Sequence, residues 1–288
     1  MLSKEDEKFL ALYSDSEYEK PSVTVDSVIF RIKSIANDNY RKLPEKKLQV
    51  FLSKRQFSPF KDCYGIVGTF IDLKHELTET MKLCVKNKVN LDNYYFEQLF
   101  TFGDKSRDPR TRVLSVSYLL LTSHNEQLEN GDWFDVELNE VKSKLTSKEN
   151  GYTISKTFSL KLSNENEKLE NIIEITNAKQ DLEEIKTLNI VKNSLAFDHI
   201  SIIYYALERL KNKLEYTDII FNLLPKEFTL TELKQCYELI LNEHLLDANF
   251  RRKIAKMVVP INKFDNAKGH RTSQLYKHNP NWLNVNMD

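Results

Sequence analysis

Apolar residues along the last third of the chain recur at helical rather than strand spacing. From Phe197 to Lys213, Ile200, Ile203, Tyr204, Leu207 and Leu210 fall on one face of an amphipathic helix. A second helix has a definite start, because Thr229 stands three residues before Glu232 in a capping-box arrangement. Its inner face uses Leu230, Leu233, Tyr237, Ile240 and Leu241, and it should finish near Asn242. A third start follows at Asp247, read as an N-cap, with Phe250, Ile254 and Met257 on one side. Residues 21–121 pattern differently. PSVTVDSVIFRI, LQVFLSK and RVLSVSYLLL are β-rich, and LTETMKLCVKNK between the last two is helical, so the first half is an α/β or α+β domain.

The polar positions of the third C-terminal helix then acquire meaning. Asn249, Arg252 and Lys256 share the side opposite the apolar stripe, with Arg251 and Lys253 on its flanks. A helix, a short turn and a helix with a basic, amide-bearing outer face is the helix-turn-helix pattern. VVPIN and TSQLYK, separated by a tip containing KGHR, read as a two-stranded hairpin with Gly269 in the turn, which makes a wing. Arg252 and Asn249 suit base edges, whereas Lys256, Lys268 and Arg271 suit phosphates. The C-terminal pattern therefore predicts a winged helix that binds double-stranded DNA.

Charge sharpens this reading only when it is taken locally. The 288 residues carry 42 Lys+Arg and 42 Asp+Glu, a formal net charge of zero. Within Asn249–Lys277, however, eight bases stand against one acid, a net of +7 over 29 residues. The length suggests two domains, and the aromatic content is too high for a disordered chain. Apolar runs are short and the first residues, MLSKEDEKFLALYSD, are too charged for a signal peptide, so a cytoplasmic protein is expected. Cys63, Cys84 and Cys236 are odd in number and widely spaced, and imply neither a disulfide framework nor a metal site.

Several stretches together carry a family resemblance: Pro21–Ile29, Leu52–Phe60 (LSKRQFSPF), Phe96–Gly103, Arg107–Tyr118 (RDPRTRVLSVSY), Phe197–Tyr216, Leu223–Leu233 and Asn249–Lys253 (NFRRK). In these the chain resembles the Nudix-related transcriptional regulators, the NrtR-like group. The resemblance implies an α+β two-domain protein: a Nudix-like α/β/α sandwich over residues 1–194 and a winged helix-turn-helix over 195–288. Two recognition helices about one DNA turn apart would read a palindromic operator with doubled contacts, so a homodimer is expected.

The hydrolytic box of active Nudix enzymes is altered. That box presents carboxylates one helical turn apart, the hard oxygen ligands that Mg²⁺ at a pyrophosphate requires. Alignment through Leu77 places Thr69 at the box glycine, His75 at its first glutamate, Leu83 at its arginine and Cys84 at the next glutamate. Asn87 and Lys88 take the pair of metal-binding carboxylates and Asn90 the closing glycine. The expectation is no catalytic residue, no metal and no cofactor, with a retained cleft sensing a small-molecule effector.

By the resemblance the effector is an ADP-ribose-like nucleotide or a sugar, held by Arg55, Arg107, Asp108 and Arg112. Arginine's fork of donors suits phosphate. Asp62 and Tyr64 replace a usual glycine and tryptophan, and Gly68-Thr69 replaces a glycine pair, which leaves the effector's identity open. The alternative function is a pyrophosphohydrolase using displaced acids such as Glu76, Glu79 or Glu97. A third is a protein-interaction module. Trp133-Phe134 reads as a buried aromatic pair and His199 as a neighbour of a helix cap. Residues 142–194 read as an enlarged end of the first domain, with strands in YTISKTFSLKL and a short helix in LEEIKTL.

Overall fold

The structure, a computed structural model, describes all residues except 1, 15, 17, 37–43, 126, 266–271 and 284–288. Helix α1 (Lys4–Leu12) precedes strands β1 (Ser22–Ile35), β2 (Glu45–Lys54), β3 (Tyr64–Gly65) and β4 (Val67–Phe70). Helix α2 (Leu77–Val89) is followed by β5 (Tyr95–Phe102), β6 (Val113–Leu121), β7 (Asp132–Lys148), β8 (Gly151–Ser163), β9 (Lys168–Gln180) and β10 (Glu183–Lys192). The remainder comprises α3 (His199–Lys213), a 3-10 turn (Ile219–Leu223), β11 (Phe228–Thr229), α4 (Leu230–Leu241), α5 (Asp247–Ile254), β12 (Val258–Asp265) and β13 (Ser273–His278).

One sheet runs in the order β10-β9-β8-β7-β2-β1-β6-β5, with β3 on β2 and β4 on β1. Toward its β5 edge lies the parallel pair β1/β6, in register from Ser22 opposite Val113 to Phe30 opposite Leu121. Side chains of these strands alternate between two apolar layers. Ile29, Phe51, Tyr118 and Leu120 pack with Met81, Val85 and Val89 of α2. Val28, Phe30, Leu119 and Leu121 pack on the other face with Ile200, Ile203 and Leu207 of α3. The result is the helix–sheet–helix sandwich expected of the first half. Trp133 and Phe134 are both buried and divide between the two layers, as adjacent strand residues must.

Helix α3 packs its apolar face in the layer that covers the sheet. Arg209 and Lys213 of α3 both reach Glu97 on β5, and Arg209 also donates to the Leu99 carbonyl at 2.8 Å. The LEEIKTL segment is a strand, not a helix. Asp181, in the left-handed region at φ 51°, turns the chain back so that Glu183–Lys192 pairs antiparallel with β9. Ile185, Thr187, Ile190 and Val191 are β-branched and favour that pairing. Residues 142–194 thus prolong the sheet as long antiparallel strands.

The C-terminal part has α4 and α5 against a three-stranded sheet of order β11-β13-β12. Thr229 and Glu232 form the capping box at the start of α4, and Asn242 in the left-handed region ends it. Helix α5 starts one residue earlier than expected. Leu246 is its N-cap and Asp247 its first residue, whose carboxylate is taken by Lys234 at 2.5 Å rather than by the helix amides. Phe250, Ile254 and Met257 are buried, as their spacing requires. Among the described residues, no helix is long and apolar enough to cross a membrane.

Candidate functional site

The ends of β1 and β2, the β3–β4 segment, the last turn of α2 and the start of α3 enclose a two-lobed cleft. One lobe, about 230 Å³, is lined by Asp26, Arg55, Thr69, Phe70, Arg107 and Arg110 among others. The other, about 620 Å³, is lined by Lys54, Tyr64, Asn87, Asn130 and Asp132. Arg55, Ile66, Gly68, Lys88 and His199 border both. Three box positions, Thr69, Asn87 and Lys88, therefore lie on the cleft wall, while Cys84 is buried in the helix–sheet layer.

Of the four residues expected to hold an effector, the structure gathers three. Arg55 donates Nε–H to the Pro59 carbonyl at 3.0 Å, and its guanidinium lies 4.7 Å over the Phe197 ring. Burial, reinforced by the neighbouring Arg110 cation, lowers its pKa. Arg107 is buried and committed to protein partners. It donates to Asp198 at 2.8 and 3.0 Å and lies 3.7 Å from Asp26. Asp108 accepts from Arg110 through both oxygens, at 2.7 and 3.0 Å. That contact holds its carboxyl below the usual range. Arg112 is not brought to the cleft. Its carbonyl accepts from the Ser22 amide where β6 begins, and its side chain is exposed elsewhere. The Asp108-Pro109 turn instead presents Arg110, whose guanidinium lies over Phe70 and Phe197 at 5.5 and 5.7 Å.

Other cleft residues had no local signal. His199 is buried, and its Nδ1 accepts from the Ile66 amide at 3.2 Å, so the neutral ring carries its proton on Nε2. Burial lowers its pKa. It is thus a cleft wall and not merely a neighbour of the α3 cap. Gly65 makes room for it, since a Cβ there would stand 2.6 Å from Nδ1. Gly68 serves Asp26 in the same way, with Oδ1 only 1.9 Å from where a Cβ would be. Asp26 accepts from Thr24 at 2.9 Å and Ser115 at 2.5 Å. Phe197 adopts φ 51°, which turns its ring over the cleft at the entrance to α3.

A divalent ion does not fit this donor set. Lys88 occupies a position where the box needs a carboxylate, and its ammonium donates to the Gly68 carbonyl. Among the described residues, no group of three or more His, Cys, Asp or Glu is placed to hold a metal ion. The displaced acids are elsewhere. Glu76 is the exposed N-cap of α2, Glu79 pairs with His75 at 3.0 Å, and Glu97 is enclosed by Tyr95, Arg209 and Lys213.

At the other end of the molecule, Asn249, Arg251, Arg252 and Lys253 are all exposed on α5. Arg252 lies 3.4 Å from the Asn249 carboxamide, and the Lys253 ammonium 5.3 Å from the Tyr237 ring centre. Lys256 is exposed but falls past the end of α5, in the turn leading to β12. Lys268 and Arg271, together with Gly269, lie outside the described residues. Strands β12 and β13 pair antiparallel, giving the wing its base.

Fold and site together define a two-domain protein, a Nudix-like sandwich joined to a winged helix. Residues 220–278 match the family model of the NrtR DNA-binding winged helix domain. Over 284 residues the chain is 27% identical to the ADPR responsive transcriptional repressor NtrR of Acinetobacter baylyi, covering 94% of this chain and 88% of that protein. Among solved structures, a MutT/nudix family protein from Enterococcus faecalis superposes with a TM-score of 0.65 at 24% identity, covering 96% of this chain and 93% of that one. Shewanella oneidensis NrtR complexed with a 27mer DNA gives 0.59 at 23% identity, covering 91% and 95%. The chain thus resembles the NrtR-like regulators along nearly its whole length and shares their two-domain fold.

Proposed function

We propose that this chain is a DNA-binding transcriptional repressor whose Nudix-like cleft senses ADP-ribose or a closely related nucleoside diphosphate and does not hydrolyse it. The observation that carries the reading is the likeness over 284 residues to a repressor named for its ADP-ribose response, a span that takes in both the cleft and the winged helix. The cleft chemistry supports a phosphorylated ligand over a neutral sugar. Arg55 and Lys88 both line the cleft and donate to neutral carbonyls rather than to carboxylates, which leaves neither in a direct ion pair. Absence of catalysis is supported by Asn87 and Lys88 at carboxylate positions and by the remote settings of Glu76, Glu79 and Glu97.

Asn249 and Arg252 are assigned to base edges, and Arg251, Lys253 and Lys256 to phosphates, which their exposure on and beside α5 supports. The sensing unit is proposed to run through α3, and the DNA-binding unit from about residue 220, where the family match begins. Two copies on a palindromic operator would double the contacts. The test is a mobility shift with DNA from upstream of the chain's own operon. ADP-ribose should release the protein from a specific fragment, and ADP-ribose incubated with the protein and Mg²⁺ should remain intact. Retention on DNA at saturating ADP-ribose, or release of AMP, defeats the reading.

A further inference from the structure

We infer that Lys88 is a built-in cation that takes over the work of a divalent ion, so that this cleft binds a nucleoside diphosphate without metal. The inference rests on the sensing reading above and specifies how the ligand is held.

Three observations converge on Lys88. It borders both lobes of the cleft. It is anchored there by donating to the Gly68 carbonyl, while its own carbonyl accepts from Asn130 at 2.7 Å, which ties the last turn of α2 to the opposite lip. Two further N–H donors of the ammonium remain for a ligand. Of the carboxylates that share the smaller lobe with Lys88, both are engaged, while Asp132 stands on the wall of the larger one. Asp26 accepts from Thr24 and Ser115 and faces the Arg107 guanidinium, and Asp108 is held by Arg110.

Arg55 approaches from the β2 side and Arg110 from the β5–β6 connection, each with its planar group over an aromatic ring. The diphosphate of ADP-ribose carries two negative charges, and Arg55 and Lys88, from two different elements, line both lobes it would enter, while Arg110, paired with Asp108, adds N–H donors rather than net charge. A divalent ion added to the same space would meet Lys88 at close range and be repelled. Metal-assisted binding and Lys88-assisted binding are therefore mutually exclusive.

The test is calorimetric titration of the full-length protein with ADP-ribose, and separately with ADP, in EDTA and then in Mg²⁺. The wild-type affinity should agree within about twofold between the two buffers. Lys88→Ala should bind at least about tenfold more weakly in both, on the usual worth of a hydrogen bond to a charged group. Lys88→Arg should restore most of the affinity, and Lys88→Glu should abolish it in EDTA. Lys88 is exposed, so these variants should melt like the wild type. Tighter wild-type binding in Mg²⁺ by tenfold, or unchanged affinity in Lys88→Ala, overturns the inference and leaves the sensing reading intact. If the wild type binds neither compound in either buffer, both fall together.

Discussion

Arg107 and Asp198 form a two-point ion pair between the β5–β6 connection and the first residue before α3, with both side chains nearly withdrawn from solvent at 4% and 15% exposure. The pair explains why Asp198 makes no side-chain cap on its own helix. It also explains why Arg107, despite its position in the cleft wall, has little left to offer a ligand. Removing one partner strands the other charge in the interior, which typically costs 3–5 kcal/mol. Arg107→Gln should therefore lower the urea unfolding free energy by about 3 kcal/mol or more. Its loss of ADP-ribose affinity should be no greater than the loss of folded protein accounts for. A variant of normal stability that no longer binds ligand would reverse this division of labour.

The sheet and the winged helix meet at Lys46. Its ammonium, on a side chain only 7% exposed, donates to Ser34 at 2.7 Å and to Glu232 at 3.3 Å. Glu232 is also the carboxylate of the α4 capping box, and Gln235, one turn on, reaches the Pro44 carbonyl at 3.4 Å. Strand β2 thus touches the DNA-binding unit at one end and carries Lys54, beside Arg55, into the cleft at the other. Such continuity is a physical route for coupling only if ligand and DNA favour different placements of the two units. Lys46→Met should keep affinity for each partner alone within a few-fold and shrink the ratio of DNA affinities measured without and with ADP-ribose. An undiminished ratio would mean that the coupling runs elsewhere.

On the DNA side, the assignments separate base from phosphate contacts. Arg252→Ala should cost about 1–3 kcal/mol on the specific operator and little on random DNA. Lys256→Ala should weaken both alike and lower the salt slope by about one. Fluorescence anisotropy across a range of KCl concentrations gives both quantities. Equal loss on specific and random DNA in Arg252→Ala would move that residue to the phosphate class.

What could be read without coordinates follows the range of the interactions involved. The Thr229/Glu232 box, helix α4 and the apolar stripe of α5 depend on neighbours three and four residues apart, and the pattern located them. The strands of the central sheet were also legible, because their alternation is imposed by two buried faces. Strand β10 was not, since its acidic start and spaced Ile and Leu mimic a short helix until β9 supplies a partner. Helix α3 has the apolar face of a bundle helix, and nothing local says that this face covers a sheet. The cleft divides the same way. Arg55, Arg107, Asp108 and the box position of Lys88 came from the resemblance, whereas His199 and Phe197 reach it through contacts across 133 and 142 residues, and Arg110 replaced Arg112 through the geometry of one turn.

His199 should make the sandwich sensitive to mild acid. Burial is the main cause that lowers its pKa below the ordinary 6.5; Arg107 and Arg55 add to it, and Asp26 and Asp198 oppose it. The folded protein therefore holds the ring neutral while the unfolded chain protonates near the ordinary value. Well above the ordinary 6.5 both states are neutral and the full stability is present; as pH falls through that value toward the folded pKa, the unfolded state takes up a proton that the folded state refuses. Stability should then decline by up to about 1.4 kcal/mol per pH unit. Acid loss from carboxylates lies lower, since Asp108 and Glu97 are both held below their ordinary values. His199→Asn keeps an acceptor near the position of Nδ1 for the Ile66 amide but cannot titrate. Urea midpoints for this variant should be flatter than the wild type between about pH 7.5 and 5.5, and parallel curves would show that the imidazole is not the group responsible.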